Sequence, residues 1–152
     1  MTASTVAKIG AGSVLSFEDP DTANTYLPLD EALTIGAIGE QGEFVETTPI
    51  AATTRTYIPG LKTPPDKEIT GNDVPGDANQ EKFLALAKAM VTVNMKVELA
   101  NGRVATFTLA MSGWQINEPA ADGAIVWTVY GKQSGDVTWT LASGKTALAK
   151  AA

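Results

Sequence analysis

The side chains that carry out most hydrolytic and transfer reactions are scarce in this sequence. Histidine and cysteine are both absent. A Ser/His/Asp or Cys/His nucleophile system therefore cannot form, and a zinc site would lack its usual nitrogen and sulfur ligands. Carboxylate, lysine and tyrosine chemistry remains, but no spacing singles out a pair among the 17 Asp and Glu residues. We expect a protein that is not an enzyme and that holds no metal or cofactor.

Three short motifs could indicate a bound ligand. The sequence GKT at residues 144–146 is like the end of a phosphate-binding loop, but Trp139 stands where the first glycine of such a loop belongs. The glycines of GAIGEQG, residues 36–42, have the wrong spacing for dinucleotide binding. The acidic stretches EDPD and NDVPGD lack the alternate-position ligands of a calcium loop. We interpret all of them as turns, strand exits or helix caps.

The charge balance also limits the partners. The chain has 11 Lys and Arg against 17 Asp and Glu, a net charge of −6, and its basic residues are spread singly. Such a protein is repelled by nucleic acid at long range. No apolar run approaches the roughly 18 residues that a membrane-spanning helix needs, so we expect no membrane partner.

One segment, at about residues 78–90, has the pattern of an amphipathic helix. Asp77 can accept hydrogen bonds from the first free amides, and Gln80 stands where it would complete a capping box. The apolar residues that recur at helical spacing are Phe83, Leu84, Leu86, Ala87 and Met90. The sequence therefore predicts one helix that packs with this stripe against a sheet.

The clearest strand signal is VTVNMKVEL, residues 91–99, in which apolar and polar residues alternate. An Asn-Gly pair follows, and then RVATFTLAM returns as a second strand. A two-residue turn would place Phe107 opposite Lys96, on the polar face. A three-residue loop places Met95 opposite Phe107, and Gly102 then takes the left-handed position that such loops require. We predict the three-residue loop.

Further extended segments are expected at residues 13–17, 33–38, 43–48, 124–132 and 136–142. With six or seven strands joined mostly by short loops, the predicted fold is mainly β: an antiparallel β-sandwich or open barrel with one flanking helix. We predict a single domain over residues 1–152. Its N-terminal arm, at about 1–12, and its C-terminal tail, at about 143–152, are expected to be flexible.

A long segment at about residues 39–65 is the least regular part of the sequence. Five of the chain's eight prolines lie between Pro49 and Pro75, which disfavours a helix or a central strand. Phe44 and Tyr57 argue against simple disorder, because disordered segments are poor in aromatic residues. The segment is therefore predicted to be a long extended loop.

The order of these elements resembles a known family. TYLPLDEALTIGAIGEQGEFVETTPI is followed by RTYIPGLKTPPDKEITGNDV, by a helix beginning DANQEKFLALA, by VELANGRVATFTLAMSGWQI and by YGKQSGDVTW. This succession, over roughly residues 24–140, is similar to the tail tube proteins of long-tailed, non-contractile bacteriophages. The resemblance implies a β-sandwich flanked by a helix and a structural role in the virion tail.

The resemblance further implies how such a protein works. Subunits form hexameric rings that stack into a hollow tube, assembled in the host cytoplasm around a tape-measure protein, and double-stranded DNA passes through the tube without specific binding. A tail terminator and tail-tip or initiator proteins are the other implied partners. One sheet of each subunit lines the lumen, while the N-terminal arm, the long loop and the C-terminal tail bridge the rings.

Two sets of residues follow as candidate sites. The candidates for contacts between rings or subunits lie on the long segment: Glu40, Gly42, Glu43, Phe44, Val45, Tyr57, Ile58, Pro59 and Leu61. The candidates for the lumen lining are the polar residues of the alternating strand: Thr92, Asn94, Lys96 and Glu98. A net negative charge suits a conduit, because a basic wall would retain DNA through its phosphates.

Two other readings remain open at this point. The chain could be another ring-forming subunit, either a terminator or the tube of a tail-like secretion system. It could also be a carbohydrate-binding or adhesion module of β-sandwich type, in which Trp114 would stack on the ligand.

Overall fold

The structure is a computed structural model that describes residues 6–8 and 10–141. Its elements in chain order are β1 (Val14–Glu18), β2 (Tyr26–Pro28), β3 (Ala32–Thr34), β4 (Gln41–Glu46), β5 (Tyr57–Thr63), β6 (Asp66–Asn72), α1 (Ala78–Lys88), β7 (Thr92–Glu98), β8 (Arg103–Ile116) and β9 (Val126–Leu141). Half of the arm predicted at about 1–12, residues 6–8 and 10–12, lies inside the described part. The tail predicted at 143–152, with its GKT sequence, lies wholly outside it.

Seven strands form one antiparallel sheet in the order β2-β1-β7-β8-β9-β6-β3. The sheet curls into a half barrel, and α1 packs against it, mainly on β8. β4 and β5 form a separate two-stranded sheet. The predicted fold class, a mainly β open barrel with one flanking helix, is confirmed.

The core lies between the sheet and the helix. Phe83 of α1 stacks between Phe17 and Trp127, with ring centroids 5.3 and 5.9 Å away. All three rings are fully buried, so they form the centre of the apolar cluster. Burying an aromatic side chain of this size stabilises the fold by about 2 to 3 kcal/mol. The placement of Trp127 in the core agrees with its position in an apolar alternating strand.

The register of the β7–β8 hairpin follows from its alternation. Met95 lies opposite Phe107 and Val93 opposite Leu109, and all four side chains are buried. The Gly102 amide donates a hydrogen bond to the Leu99 carbonyl, and Gly102 has a φ of 91°. The three-residue loop is therefore confirmed. A slip of one residue would move every apolar side chain to the polar face.

The start of α1 is as predicted in one respect and differs in another. The Asp77 carboxylate accepts hydrogen bonds from the amides of Asn79 and Gln80, so the predicted N-cap is confirmed. The capping box is wrong. The Gln80 side chain is buried, where it accepts from the Val74 amide and donates to the Asn72 carbonyl, both at 2.8 Å. The Asp77 amide is already bonded to the Val74 carbonyl, which leaves no donor for a reciprocal bond.

The helix also ends earlier than predicted, at Lys88. Met90 has a φ of 56° and is largely exposed, so it is not part of the buried stripe. A left-handed residue after a helix satisfies its last carbonyls and redirects the chain, here into β7. The connection to β7 therefore ends the helix before the apolar periodicity of the sequence ends.

One continuous strand, β9, replaces the two that were predicted at 124–132 and 136–142. Gly131 does not interrupt it but lies directly against β8: a Cβ on Gly131 would come within 2.8 Å of the Ala110 carbonyl oxygen. Glycine in a strand interior typically marks such a close approach or a bend. Here the missing side chain allows β9 to approach β8 closely.

The proline-rich segment is more regular than predicted. β4 and β5 pair as an antiparallel hairpin within the expected loop at 39–65, and Pro59 fits because a two-stranded ribbon has free edges. β6, which was missed, lies between β9 and β3, and its Ile69 is fully buried. In contrast, the strand expected at 33–38 is only the three residues of β3.

Candidate assembly interface

The hairpin of β4 and β5 contains the predicted contact residues. We call residues 41–63 the hairpin arm. Eight of the candidates lie on its two strands and Glu40 lies at its base: Gly42, Glu43, Phe44, Val45, Tyr57, Ile58, Pro59 and Leu61 form the rest of the set. The structure therefore brings together residues that are up to 21 positions apart, from Glu40 to Leu61.

The hairpin arm exposes apolar side chains that a folded monomer would normally bury. Phe44 is 75% exposed, Tyr57 52% and Leu61 89%. The Phe44 and Tyr57 rings meet edge to face with centroids 6.5 Å apart. A two-stranded hairpin is marginally stable by itself in water, and a contiguous exposed apolar patch usually marks a contact surface. The geometry therefore favours a role in binding another protein surface.

The base of the hairpin arm is fastened to β9 by polar contacts. The buried Gln133 side chain donates to the Glu40 carboxylate at 2.9 Å and accepts from the Gly39 amide at 3.4 Å. Lys62 lies 3.4 Å from Asp136 and 3.8 Å from Glu40. These contacts orient the arm while leaving its apolar residues uncovered.

A buried lysine holds the segment that leads into the arm. The Lys67 ammonium group donates hydrogen bonds to the carbonyls of Ile35 and Ala37 and lies 5.1 Å from the centroid of the Phe107 ring. Burial lowers its pKa to about 8. The sequence reasoning missed Lys67, although it alternates with Ile69 and Gly71 in DKEITGN and so falls on the inward face.

The Lys67 pKa predicts a pH dependence of stability. The unfolded chain keeps this lysine protonated up to its ordinary value of 10.5, and the folded chain only up to about 8. Between these values the unfolded state binds more protons, so the free energy of unfolding should rise with pH. Between pH 7 and pH 10 the free energy of unfolding of the wild type should rise by about 1 to 2 kcal/mol more than that of Lys67→Met. This value is reduced for partial solvation of the lysine.

Urea unfolding of both proteins at pH 7, 8, 9 and 10 measures this gain. Lys88→Met, which removes an exposed lysine, is the matched control. Parallel stability curves for the wild type and Lys67→Met across this range would contradict the assignment.

The four lumen candidates share the polar face of the sheet, opposite the buried side chains of β7. Thr92 and Asn94 are exposed, while Lys96 and Glu98 are half-buried and form an ion pair at 3.3 Å. The face continues across the strands through hydroxyl side chains, since Lys96 pairs with Ser16 on one side and Thr106 on the other. This face is polar and carries hydroxyl groups beside the Lys96–Glu98 ion pair.

Trp114 and the EDPD turn, which the sequence offered as possible ligand sites, have structural roles instead. Trp114 is partly buried against the core cluster, so its indole is not a free platform. In EDPD, the Asp19 carboxylate accepts from the Asp21 amide as part of a turn. Across residues 6–8 and 10–141, no group of three or more acidic side chains is placed to hold a metal ion, and no helix is long and apolar enough to cross a membrane.

A family model covers almost all of this sequence. The phage tail tube protein family matches residues 3–141. This chain belongs to that family. No curated protein matches the chain by sequence. Membership makes this tail tube protein a structural component of a phage tail and places its copies in tube assemblies.

Solved structures of tail-like particles have the same fold. The chain is similar to a subunit of the anti-feeding prophage baseplate, with a TM-score of 0.73, 10% identity and coverage of 91% of this chain and 98% of that one. For the SPP1 tail tube the TM-score is 0.66 and the identity 13%, over 85% and 77% of the two chains. For the tail of the empty gene transfer agent particle, computed with C6 symmetry, the values are 0.69 and 10%, over 88% and 99%.

Proposed function

We propose that this tail tube protein forms six-membered rings that stack into the hollow tube through which the phage genome leaves the particle. The observation that carries the proposal is the hairpin arm, whose apolar side chains are exposed in the part of the chain that the structure describes. The C6 symmetry of the gene transfer agent tail supports a ring of six. In this assembly the hairpin arm reaches the next ring and its apolar residues become buried there.

Contacts within a ring would use the open edges of the sheet. β6 pairs with β9 only over residues 126–132, so beyond that point β8 is the single strand partner of β9 in the described part of the chain. An unpaired strand edge is a template for another strand. A neighbour's sheet edge would extend the ladder there and give a continuous wall.

The polar face of that wall would line the lumen. Thr92, Asn94, Lys96 and Glu98 lie on it, and the net charge of −6 per chain keeps it from holding DNA through phosphate contacts. The tube would form around a tape-measure protein in the host cytoplasm, begin on tail-tip or initiator proteins and end at a terminator. The non-contractile type of tail is part of this proposal.

Negative-stain electron microscopy of the purified, concentrated chain, with light scattering on the same sample, tests the proposal. Hollow tubes of uniform width are the expected result. Single rings that never stack would favour the terminator reading. Monomers that stay monomeric even with a tail initiator present would contradict the tube function and favour a binding module.

Adding positive charge to the polar face should make the tube retain DNA. In Thr92→Lys/Thr106→Lys, each subunit gains two cations on that face. Retention of a short duplex by purified tubes should be clear at 50 mM salt and should fall by at least about tenfold at 200 mM, as counterion release requires. Thr92→Gln/Thr106→Gln is the matched control and should retain none. Equal retention by the two variants would place this face outside the lumen.

A further inference from the structure

The two faces of the hairpin arm expose different apolar side chains. Residues directly opposite each other in an antiparallel pair point to the same side. Val45 lies opposite Ile58, so both share one face, which we call the aliphatic face. The flanking residues Phe44 and Tyr57 lie on the other, which we call the aromatic face.

Neither face is covered by residues 6–8 or 10–141. On the aliphatic face Val45 and Ile58 are 49% and 51% exposed, and on the aromatic face Phe44 and Tyr57 are even more accessible. A ribbon that lies on one surface usually has one apolar face and one polar face. Apolar side chains on both faces are instead typical of a strand pair with protein on either side.

The charges of the hairpin arm are concentrated at its two ends. Near the tip Arg55 lies 3.7 Å from Glu46, and at the base Lys62 pairs with Glu40 and Asp136. Between these ends Glu43, which lies opposite the bulge of β5, is the one charged residue. An apolar centre with a polar rim is the usual anatomy of a buried protein interface.

We propose that the hairpin arm is enclosed on both faces by other copies of this chain, one copy against the aliphatic face and a second against the aromatic face. The inference rests on the proposed tube function and specifies its contacts. In stacked rings, the slot between two adjacent subunits of the next ring has two protein walls. One arm therefore joins three subunits: its own and the two between which it lies.

Face-specific variants test the proposal. Val45→Thr/Ile58→Thr alters only the aliphatic face, and Phe44→Ser/Tyr57→Ser alters only the aromatic face. Each variant should remain a folded monomer by circular dichroism, and each should raise the critical concentration for tube formation at least about tenfold. Ile125→Thr, at a site outside the arm that is 50% exposed, is the matched control and should change it less than about twofold.

Thiol protection supplies a second measurement that does not depend on blocking assembly. The chain has no cysteine, so Phe44→Cys and Ile58→Cys each introduce a single thiol, one on each face. Maleimide should label both at least about tenfold more slowly in tubes than in monomers, because burial between chains excludes the reagent.

The outcomes distinguish a failure of the two-sided contact from a failure of the tube function. Protection of one thiol alone, with loss of assembly from one face alone, would show a one-sided contact and overturn this inference while leaving the tube function intact. Rapid labelling of both thiols in intact tubes would show that the arm is not buried between subunits and would overturn this inference. Failure of the unmodified chain to form tubes with an initiator present would contradict the tube function itself.

Discussion

Replacing residues 42–62 with Asn-Gly should abolish tube formation while leaving a folded monomer. The remaining pair, Gln41 and Thr63, is a hydrogen-bonded pair of the ribbon, and Asn-Gly closes such a pair as a two-residue turn. No side chain of the deleted segment is buried in the core. The Lys62 ammonium group is exposed, so the loss of its ion pairs with Asp136 and Glu40 should cost only about 1 kcal/mol. The thermal midpoint should therefore move by only a few degrees.

Electron microscopy and sedimentation measure the loss of tubes, and circular dichroism measures the fold. The matched control shortens a different exposed loop, by replacing residues 119–123 with Gly-Gly, and should still form tubes. A chain without the arm that polymerised at the wild-type concentration would refute the role of the hairpin arm. A chain that failed to fold would show that the arm stabilises the monomer.

Among substitutions that add one methyl group to a glycine in the described part of the chain, Gly71→Ala should cause the largest loss of stability. A Cβ at Gly71 would lie 2.5 Å from Cζ2 of Trp127 and 2.9 Å from the Glu31 carbonyl oxygen. The indole cannot move away easily, because it is fully buried, packs on Phe83 and donates to the Asn72 carbonyl. Overpacking of this kind costs about 3 kcal/mol, which lowers the melting temperature of a chain of this size by roughly 10 °C.

Urea and thermal unfolding measure the effect, with Gly76→Ala as the matched control. No atom lies within 4 Å of a Cβ at Gly76, so that variant should stay within about 0.5 kcal/mol of the wild type. In a Trp127→Leu background the smaller side chain should leave room for the methyl group, so the cost of Gly71→Ala should fall by at least about 1 kcal/mol. An equal cost in both backgrounds would mean that the strain arises at the backbone of Glu31.

Much of the candidate site was predictable because its residues are neighbours in sequence. Phe44 and Tyr57 stand out as aromatic residues in a proline-rich segment, and the polar face of β7 follows from a two-residue period. Pairing within the segment was not predictable. The prolines argued for a loop, whereas a hairpin with free edges tolerates Pro59. The division of the arm into two apolar faces follows only from that pairing.

Local physics is what the sequence determined by itself. The absence of histidine and cysteine, the Asp77 cap and the Gly102 turn depend on residue types and on a few neighbouring positions. The tertiary structure decided the rest. The Gln80 side chain points inward because the Asp77 amide already donates to the Val74 carbonyl. Lys67 is buried because β6 lies between β9 and β3. The positions of these side chains depend on which distant segments of the chain are in contact, and a local sequence pattern does not predict such contacts.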